Sequence, residues 1–170
     1  MKSLSTKISI TFLVLFFSFT SLKVSGQEKE EGHHHSHDQH KYHVGFGVAG
    51  AYLTSEKSLA PGFHLHFLRQ IGEEKNWGIG LGYEAIIAEN LHSGFNLLAN
   101  WHPVKFISLN AGPGLTFGKH ENTTEVSPAF HTEAVFEFDL NKIHIGPMAG
   151  FGIDSEESHF SFGVHLGFGF

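Results

Sequence analysis

Large apolar residues alternate with small or polar residues along most of the chain after residue 41. The last segment shows this best: every even position from Phe160 to Phe170 is large and apolar, while the odd positions hold Ser, Gly or His. A period of two is typical of a β-strand whose two faces meet different surroundings. The pattern therefore predicts strands with one apolar face and one narrow, polar face.

Eight such segments follow one another, separated by short polar breaks. The predicted strands are 42–54, 59–70, 77–87, 91–101, 107–117, 126–138, 143–153 and 158–170. Each is close to the 9–11 tilted residues, roughly, that cross a bilayer. An even number of strands with both ends on one side can close, which leaves no unpaired edge in lipid. The predicted fold is all-β, an eight-stranded antiparallel up-and-down transmembrane β-barrel over residues 42–170.

The breaks predict the connections at the two ends of this barrel. At the end that carries the termini, the predicted turns are 72–76, His102–Pro103 and 139–142. At the opposite end the predicted loops are 55–58, 88–91, 119–125 and 154–158, all short. If the termini are periplasmic, these loops face outward and offer little surface for a partner. Tyr42, Trp77 and Trp101 fall at strand ends, where membrane barrels carry aromatic girdles.

The residues before the barrel have a different composition. Residues 1–26 hold Lys2 and Lys7, a short apolar core, and a small-residue exit before Gln27, which predicts a secretory signal peptide. An uncleaved anchor helix is the alternative, but the apolar core is too short and is broken by Ser and Thr. Residues 27–41 are polar and His-rich with nothing to build a core, so a disordered periplasmic segment is predicted there.

The terminal strand resembles the C-terminal signature of bacterial outer-membrane barrels. The residues that carry this resemblance are Phe162, Val164, Leu166, Phe168 and Phe170. In that family a terminal Phe is read by the outer-membrane assembly machinery, so the resemblance implies this machinery as a partner through Phe170. The other implied surrounding is outer-membrane lipid, and a monomer is expected.

Over residues 42–170 the chain resembles the small eight-stranded outer-membrane barrels of Gram-negative bacteria. More narrowly, it is similar to small envelope proteins with a His-rich segment between signal peptide and barrel. That narrower resemblance rests on residues 33–43 and the strand Asn110–Phe117. Both imply a location in the outer membrane, with the His-rich segment in the periplasm, and neither implies a specific function.

Composition and charge narrow the function classes. The chain of 170 residues holds 20 Gly, 18 Phe and only 16% charged residues, which suits a barrel with an apolar surface and a small-residue interior. Its net charge of -6 argues against a nucleic-acid partner. No Cys is present, which excludes disulfides, thiol nucleophiles and thiolate metal sites.

Fifteen histidines are the main anomaly of the sequence. The predicted metal ligands in and next to the His-rich segment are His33, His34, His35, His37, Asp38, His40 and His43. Neutral imidazole suits Zn(II), Ni(II) and Cu(II), and protons compete for it, so such a site would release metal as the pH falls through about 6 to 7. The alternative is a solvated linker that binds metal only incidentally.

A second set of histidines is predicted to face the barrel interior. It comprises His64, His66, His92, His131, His144, His159 and His165, together with Glu84, Glu133 and Glu137. Ionisable groups at membrane depth are functional candidates by default. Those predicted near mid-strand, and therefore as a possible lumenal site, are His64, His66, His131, Glu133 and His165. The alternative is that these side chains only fill the interior with hydrogen-bonded pairs.

An enzymatic function has little support in the sequence. His159 and Ser161 have the His-x-Ser spacing used by lipid A deacylase barrels, but there the pair faces lipid, whereas here both are predicted to face inward. A non-enzymatic barrel that binds or buffers divalent metal is the preferred hypothesis. The alternatives are a structural or adhesion-type barrel, and a soluble lipocalin-like barrel, whose narrow lumen would have to hold 18 Phe.

Overall fold

The computed structural model describes residues 40–89, 91–120, 123–140 and 142–170. The predicted signal peptide and residues 27–39 lie outside these described residues. The β-segments, in chain order, are β1 (Tyr42–Leu53), β2 (Ser58–Ile71), β3 (Trp77–Ile87), β4 (Leu91–Val104), β5 (Ile107–His120), β6 (Thr123–Phe136), β7 (Phe138–Leu140), β8 (Ile143–Ile153) and β9 (Ser158–Gly169). None of the described residues forms a helix long and apolar enough to cross a membrane.

These segments close into one antiparallel barrel. The strands from β1 to β6 each pair with the next in sequence, β8 pairs with β9, and β1 also pairs with β9. β6 and β7 are interrupted only at Glu137 and both pair with β8, so together they form one barrel strand. The prediction of an eight-stranded antiparallel up-and-down barrel is confirmed.

The register staggers the strands around the barrel. A walk from partner to partner that begins at Tyr42 of β1 ends on the same strand at Tyr52. Such a stagger tilts the strands, and eight tilted strands leave an interior just wide enough for side chains. The residues that meet inside the barrel are therefore set by this stagger and not by sequence spacing.

Two predicted connections were wrong. β4 continues through His102 and Pro103 to Val104, and the turn lies at Lys105–Phe106. The register shifts between Trp101 and Val104, and such an irregularity is where a strand tolerates proline. The predicted loop 119–125 is also shorter, because β5 extends to His120 and β6 begins at Thr123.

The outward face is apolar, as the alternation predicts. Phe162 and Leu81 are 65% and 64% exposed, and similar residues line every strand. At the end that carries the termini, Trp77 and Trp101 are cross-strand partners whose rings stack at 5.6 Å. Tyr42 stacks near them on Phe67, with ring centroids 5.8 Å apart. The predicted aromatic girdle is present at this end.

The inward face is mostly polar. Its buried residues include six histidines, two glutamates and several Asn and Ser side chains, but among the described residues no Lys or Arg is buried. The buried apolar residues are a cluster of Ala51, Leu53, Ala60 and Ile86, together with Leu68, Ala85, Leu98, Val135 and Met148. The interior is thus filled by imidazoles, amides and carboxylates with aliphatic side chains among them.

Candidate metal centre

Nine histidines of the described residues face the interior, and glycine makes room for most of them. Eight of the nine have a glycine as a direct cross-strand partner. The pairs are His43–Gly169, His64–Gly47, His66–Gly45, His92–Gly118, His131–Gly112, His144–Gly167, His159–Gly152 and His165–Gly47. A Cβ added at Gly45 would overlap the ring of His66. The imidazoles therefore occupy space that the missing side chains leave.

Four buried residues from three strands form what we call the central group: His64, His66, Glu133 and His165. β2 supplies His64 and His66, β6 supplies Glu133 and β9 supplies His165. One donor atom from each lies within 4.8 Å of all the others. Three imidazoles and one carboxylate are a donor set that suits divalent transition metals.

Direct contacts link the members of the central group. His64 lies in the middle: its Nδ1 is 3.2 Å from Glu133 Oε2 and its Nε2 is 3.0 Å from His165 Nδ1. His66 Nδ1 is 4.0 Å from the other carboxylate oxygen, Glu133 Oε1. The rings of His66 and His165 stack with centroids 5.0 Å apart. The group is compact around one carboxylate.

Two ring nitrogens of the central group have no hydrogen-bond partner. They are Nε2 of His66 and Nε2 of His165, both buried. Nε2 of His43, on the adjoining part of the interior, is also buried without a hydrogen-bond partner. Buried polar atoms nearly always have a partner, so each exception calls for an explanation. With the ring proton on Nδ1, the Nε2 atoms of these two neighbouring imidazoles offer lone pairs for a ligand bond.

An amide network positions the carboxylate of the central group. Asn110 Nδ2 donates to Glu133 Oε1 at 3.1 Å. Asn100 Nδ2 in turn donates to Asn110 Oδ1 at 2.9 Å and to Ser108 Oγ at 2.8 Å. Such outer partners orient metal ligands and are part of a metal site's affinity. Glu133 Oε2, which Asn110 does not contact, faces His64.

Two further groups of histidines and carboxylates also have donor atoms within 4.8 Å of one another. The loop-side group is Glu84, His131 and His159, and the terminal group is His43, His144 and His165. In the loop-side group Glu84 Oε1 is 2.9 Å from His159 Nε2, and Glu84 Oε2 is 3.4 Å from His131 Nδ1. In the terminal group the rings of His43 and His144 lie 4.6 Å apart. His165 belongs to both the terminal and the central group.

The interior carries carboxylates without permanently charged partners. Glu84, Glu133 and Glu137 each contact histidines, which are cations only when protonated. No Lys or Arg is buried among the described residues. A buried carboxylate needs a compensating positive charge or strong hydrogen bonds. Protonated histidine or a bound cation can supply that charge here.

The donor set of the central group fits a zinc-type ion after small movements. Zn(II) binds His N at about 2.0–2.1 Å and carboxylate O at about 2.0–2.2 Å, usually with four ligands. Donor atoms within 4.8 Å of one another must draw in towards such an ion. Imidazole side chains would do this by rotation about χ1 and χ2, with the neighbouring rings shifting as well.

The structure brings together most of the predicted lumenal site. His64, His66, Glu133 and His165 meet in the central group, whereas His131 lies with Glu84 and His159. Sequence reasoning placed the last two on the inward face but not in the site, because alternation identifies a face and not the neighbours on it. His144 was treated in the same way. His102 was missed because a turn was predicted there, although its Nε2 lies 3.5 Å from Glu137 Oε2 inside the barrel.

Of the predicted ligands in and next to the N-terminal segment, His40 and His43 lie within the described residues. His43, predicted as a ligand next to that segment at the start of the first strand, is 8% exposed and lies in the interior beside His66, His144 and His165. His40 packs against Gly169 at the barrel end that carries the termini. The other predicted ligands, His33, His34, His35, His37 and Asp38, lie outside the described residues.

The His-x-Ser pair has the predicted orientation. His159 and Ser161 are 4% and 5% exposed and both face inward. His159 contacts Glu84, and Ser161 Oγ lies against Gly150. The pair is therefore turned away from the lipid-facing surface on which a deacylase barrel works.

Comparison with known proteins identifies the fold. No protein-family model and no curated protein matches the sequence. Among solved structures, the N-terminal β-barrel domain of Pseudomonas aeruginosa OprF aligns with a TM-score of 0.60 at 13% identity, covering 78% of this chain and 100% of that domain. Neisserial surface protein A aligns with a TM-score of 0.52 at 9% identity, covering 76% and 97%.

A third similar structure comes from the de novo design of transmembrane β-barrels. It has a TM-score of 0.53 and 11% identity, and the alignment covers 76% of this chain and 98% of the design. The likeness extends to a barrel that evolution did not make, so it reflects the architecture alone. The fold is that of small outer-membrane barrels, and function must be argued from the side chains inside.

Proposed function

We propose that this protein is a small outer-membrane barrel that binds a divalent transition-metal ion inside its lumen, through His64, His66, Glu133 and His165. The observation that carries the proposal is the convergence of these four donors, with Nε2 of His66 and of His165 unpartnered and buried. Zn(II), Ni(II) and Cu(II) all accept imidazole and carboxylate ligands.

The charge of the lumen supports a cation as the ligand. Three glutamates lie inside the barrel, and the buried residues of the described chain include no Lys or Arg. A divalent ion at the central group would compensate the charge of Glu133, its own carboxylate ligand.

The outer surface supports placement in the outer membrane. Its large apolar side chains are exposed around the whole barrel, and a stacked Trp pair lies at one end. In water such a surface would be a severe aggregation liability, whereas lipid covers it. A lipocalin-like barrel would need the reverse arrangement. With the termini in the periplasm, the His-rich segment 27–41 would gather metal at the mouth next to it.

Calorimetric titration tests the proposal. Zn(II) is titrated into the full chain folded in detergent, into His66→Gln and Glu133→Gln, and into a variant whose histidines 33, 34, 35, 37 and 40 are all replaced by Gln. Loss of a residue that only orients a ligand weakens metal binding by up to about 100-fold. Loss of one direct ligand should therefore weaken Zn(II) binding by at least about 100-fold. The matched control is His102→Gln, an interior histidine outside the three groups, which should stay within about threefold of the parent.

The outcomes separate the lumen from the N-terminal segment. Tight binding that survives replacement of the segment's histidines but fails in His66→Gln supports the proposal. Binding that disappears with the segment's histidines and is indifferent to His66 and Glu133 refutes a lumenal site. The absence of binding in every variant favours the second function, a structural barrel in which His and Glu only pack, which the closed pairing of Glu84 with His131 and His159 exemplifies.

A further inference from the structure

The three groups follow one another along the barrel. His43 and His144 are each the second residue of a strand that starts at the end carrying the termini. His159 is the second residue of β9, which starts at the opposite end. The members of the central group lie in the middle of β2, β6 and β9. The order from one end to the other is therefore terminal group, central group and loop-side group.

The terminal and central groups are continuous because they share a ligand. His165 Nδ1 is 3.0 Å from His64 Nε2, and its ring stacks on that of His144 with centroids 5.6 Å apart. The ring of His43 lies 5.1 Å from that of His66. An ion can thus gain donors of one group before it loses those of the other.

A small cavity joins the central and loop-side groups. His64, His66 and Glu133 line one part of it, and Glu84 and His131 line another. Its size is on the order of one water molecule, which is also enough for a bare metal ion. No backbone segment intervenes between the two groups, because both contribute side chains to the same cavity.

Each mouth of the barrel carries a partly exposed histidine paired with a carboxylate. At the end with the termini, the His102 side chain is 22% exposed and lies 3.5 Å from Glu137. At the loop end, the His92 side chain is 18% exposed and lies 3.3 Å from Asp154. The ring of His92 is 6.1 Å from that of His159 in the loop-side group. The row of histidine and carboxylate side chains therefore extends to solvent at both ends of the barrel.

We propose that the lumen carries divalent transition metal across the barrel, by ligand exchange from group to group, and does not only hold it. This inference rests on the proposed metal binding at the central group. The ion moves without its hydration shell, since the interior is filled by side chains, and each imidazole or carboxylate replaces the one behind it. Several neighbouring sites of graded strength allow an ion both to enter and to leave.

Zinc flux into vesicles tests this inference. The full chain is reconstituted into liposomes that contain a Zn(II)-sensitive dye, and Zn(II) is added outside. The variants are Glu84→Gln and His159→Gln, which alter the loop-side group and leave the central group intact. Glu73→Gln, in an exposed turn, is the charge-matched control. Flux should fall by at least about tenfold in the first two variants and stay unchanged in the control. Calorimetric Zn(II) affinity at the central group should remain within about threefold in all three.

The outcomes distinguish a barrel that only binds the metal ion from one that transports it. Zn(II) flux above that of protein-free liposomes, lost in the loop-side variants with affinity retained, supports transit. Tight binding without flux overturns transit and leaves the proposed binding function standing. Flux that is equal in all variants, or that admits Mg(II) as fast as Zn(II), would also overturn it, since it would indicate a leak or a water-filled pore. Failure of both binding and flux would refute the two proposals together.

Discussion

The central and loop-side groups are built from the same residue types but differ in where the carboxylate lies. Glu84 contacts two imidazoles, His131 and His159, one with each oxygen. Glu133 is held by the amide of Asn110 on one oxygen and by His64 on the other. In the loop-side group Nδ1 of His131 and Nε2 of His159 have no well-formed hydrogen bond, but the oxygens of Glu84 lie 3.4 and 2.9 Å from them, in the place that a metal would take. In the central group Glu133 lies against His64, and Nε2 of His66 and of His165 is left without a partner.

The difference shows that a cluster of histidines with a glutamate is not yet a metal site. What matters is whether the ring nitrogens are already engaged by the carboxylate. An amide that holds the carboxylate from outside, as Asn110 does, leaves neighbouring imidazoles free. We therefore expect the central group to bind tightly and the loop-side group weakly, which also suits an exit site.

The largest expected effect comes from refilling the space beside the central group. In Gly45→Ala the new methyl would overlap the ring of His66 and lie against that of His165, so both rings must move. Loss of two ligand positions should weaken Zn(II) binding by at least about 100-fold in calorimetry. The free energy of unfolding should fall by about 1–3 kcal/mol, as for other overpacked interiors.

The matched substitution on the loop-side group is Gly152→Ala, whose methyl would overlap the ring of His159. It should destabilise the barrel to a similar extent while leaving the Zn(II) affinity within about threefold. Equal losses of affinity in the two variants would contradict the distinction between the groups.

A smaller effect is expected from removing the outer support of the central carboxylate. Asn110→Ala deletes the amide that donates to Glu133 Oε1, so the carboxylate is free to turn towards His66. Zn(II) affinity should fall by roughly 10-fold, the lower end of the range for outer-shell partners. Asn96→Ala is the control, a buried interior amide outside the Asn100–Asn110–Glu133 network. An unchanged affinity in Asn110→Ala would show that Glu133 needs no such support.

The smallest effect is expected from a substitution of Asp154, which should change the free energy of unfolding and not the Zn(II) affinity. Asp154 lies between β8 and β9, outside the spanning strands. Burial raises its pKa, but the amides of Glu157 and Glu156 and the hydroxyl of Thr116 donate to it and hold the pKa below the ordinary 3.8. A depressed folded-state pKa stabilises the fold above the unfolded value, and this stability is lost as the pH falls through the folded-state pKa.

Asp154→Asn should lower the free energy of unfolding by about 1 kcal/mol at pH 7, with a smaller difference below pH 4, in urea titrations of the detergent-folded protein. Zn(II) affinity at the central group should not change. A loss of affinity in this variant would mean that the loop end and the central group are coupled, and would contradict their independence.

The fold could be predicted because the two faces of a membrane barrel have different surroundings, so apolar and small or polar residues alternate along every strand. The apolar positions of β9, from Phe160 to Phe168, all face outward, and His159 and His165 face inward. The strand ends were less predictable. Polar and proline residues at His102–Pro103 look like a turn, but a register irregularity absorbs them inside β4.

The site could be predicted only in part, because alternation assigns a side chain to a face and the stagger of the barrel decides its neighbours. His64, His66, Glu133 and His165 come together only through the pairing of β1, β2, β6, β8 and β9. His131 falls beside Glu84 for the same reason. The glycine opposite each of eight interior histidines is a signal in the sequence, yet it can be read only once the register is known.

The ends of the barrel chain are joined by hydrogen bonds as if they were consecutive strands of a hairpin. Tyr42 N donates to Phe170 O, and Phe170 N donates to Tyr42 O, both at 2.9 Å. A short peptide could bridge these two residues and let the chain be reopened after β3, at residues 88–89, giving a circular permutant with the same lumen. The His-rich segment, attached to the new first residue, would then start at the opposite mouth. Under the proposed function, the mouth at which the His-rich segment supplies metal would then depend on where the chain is opened.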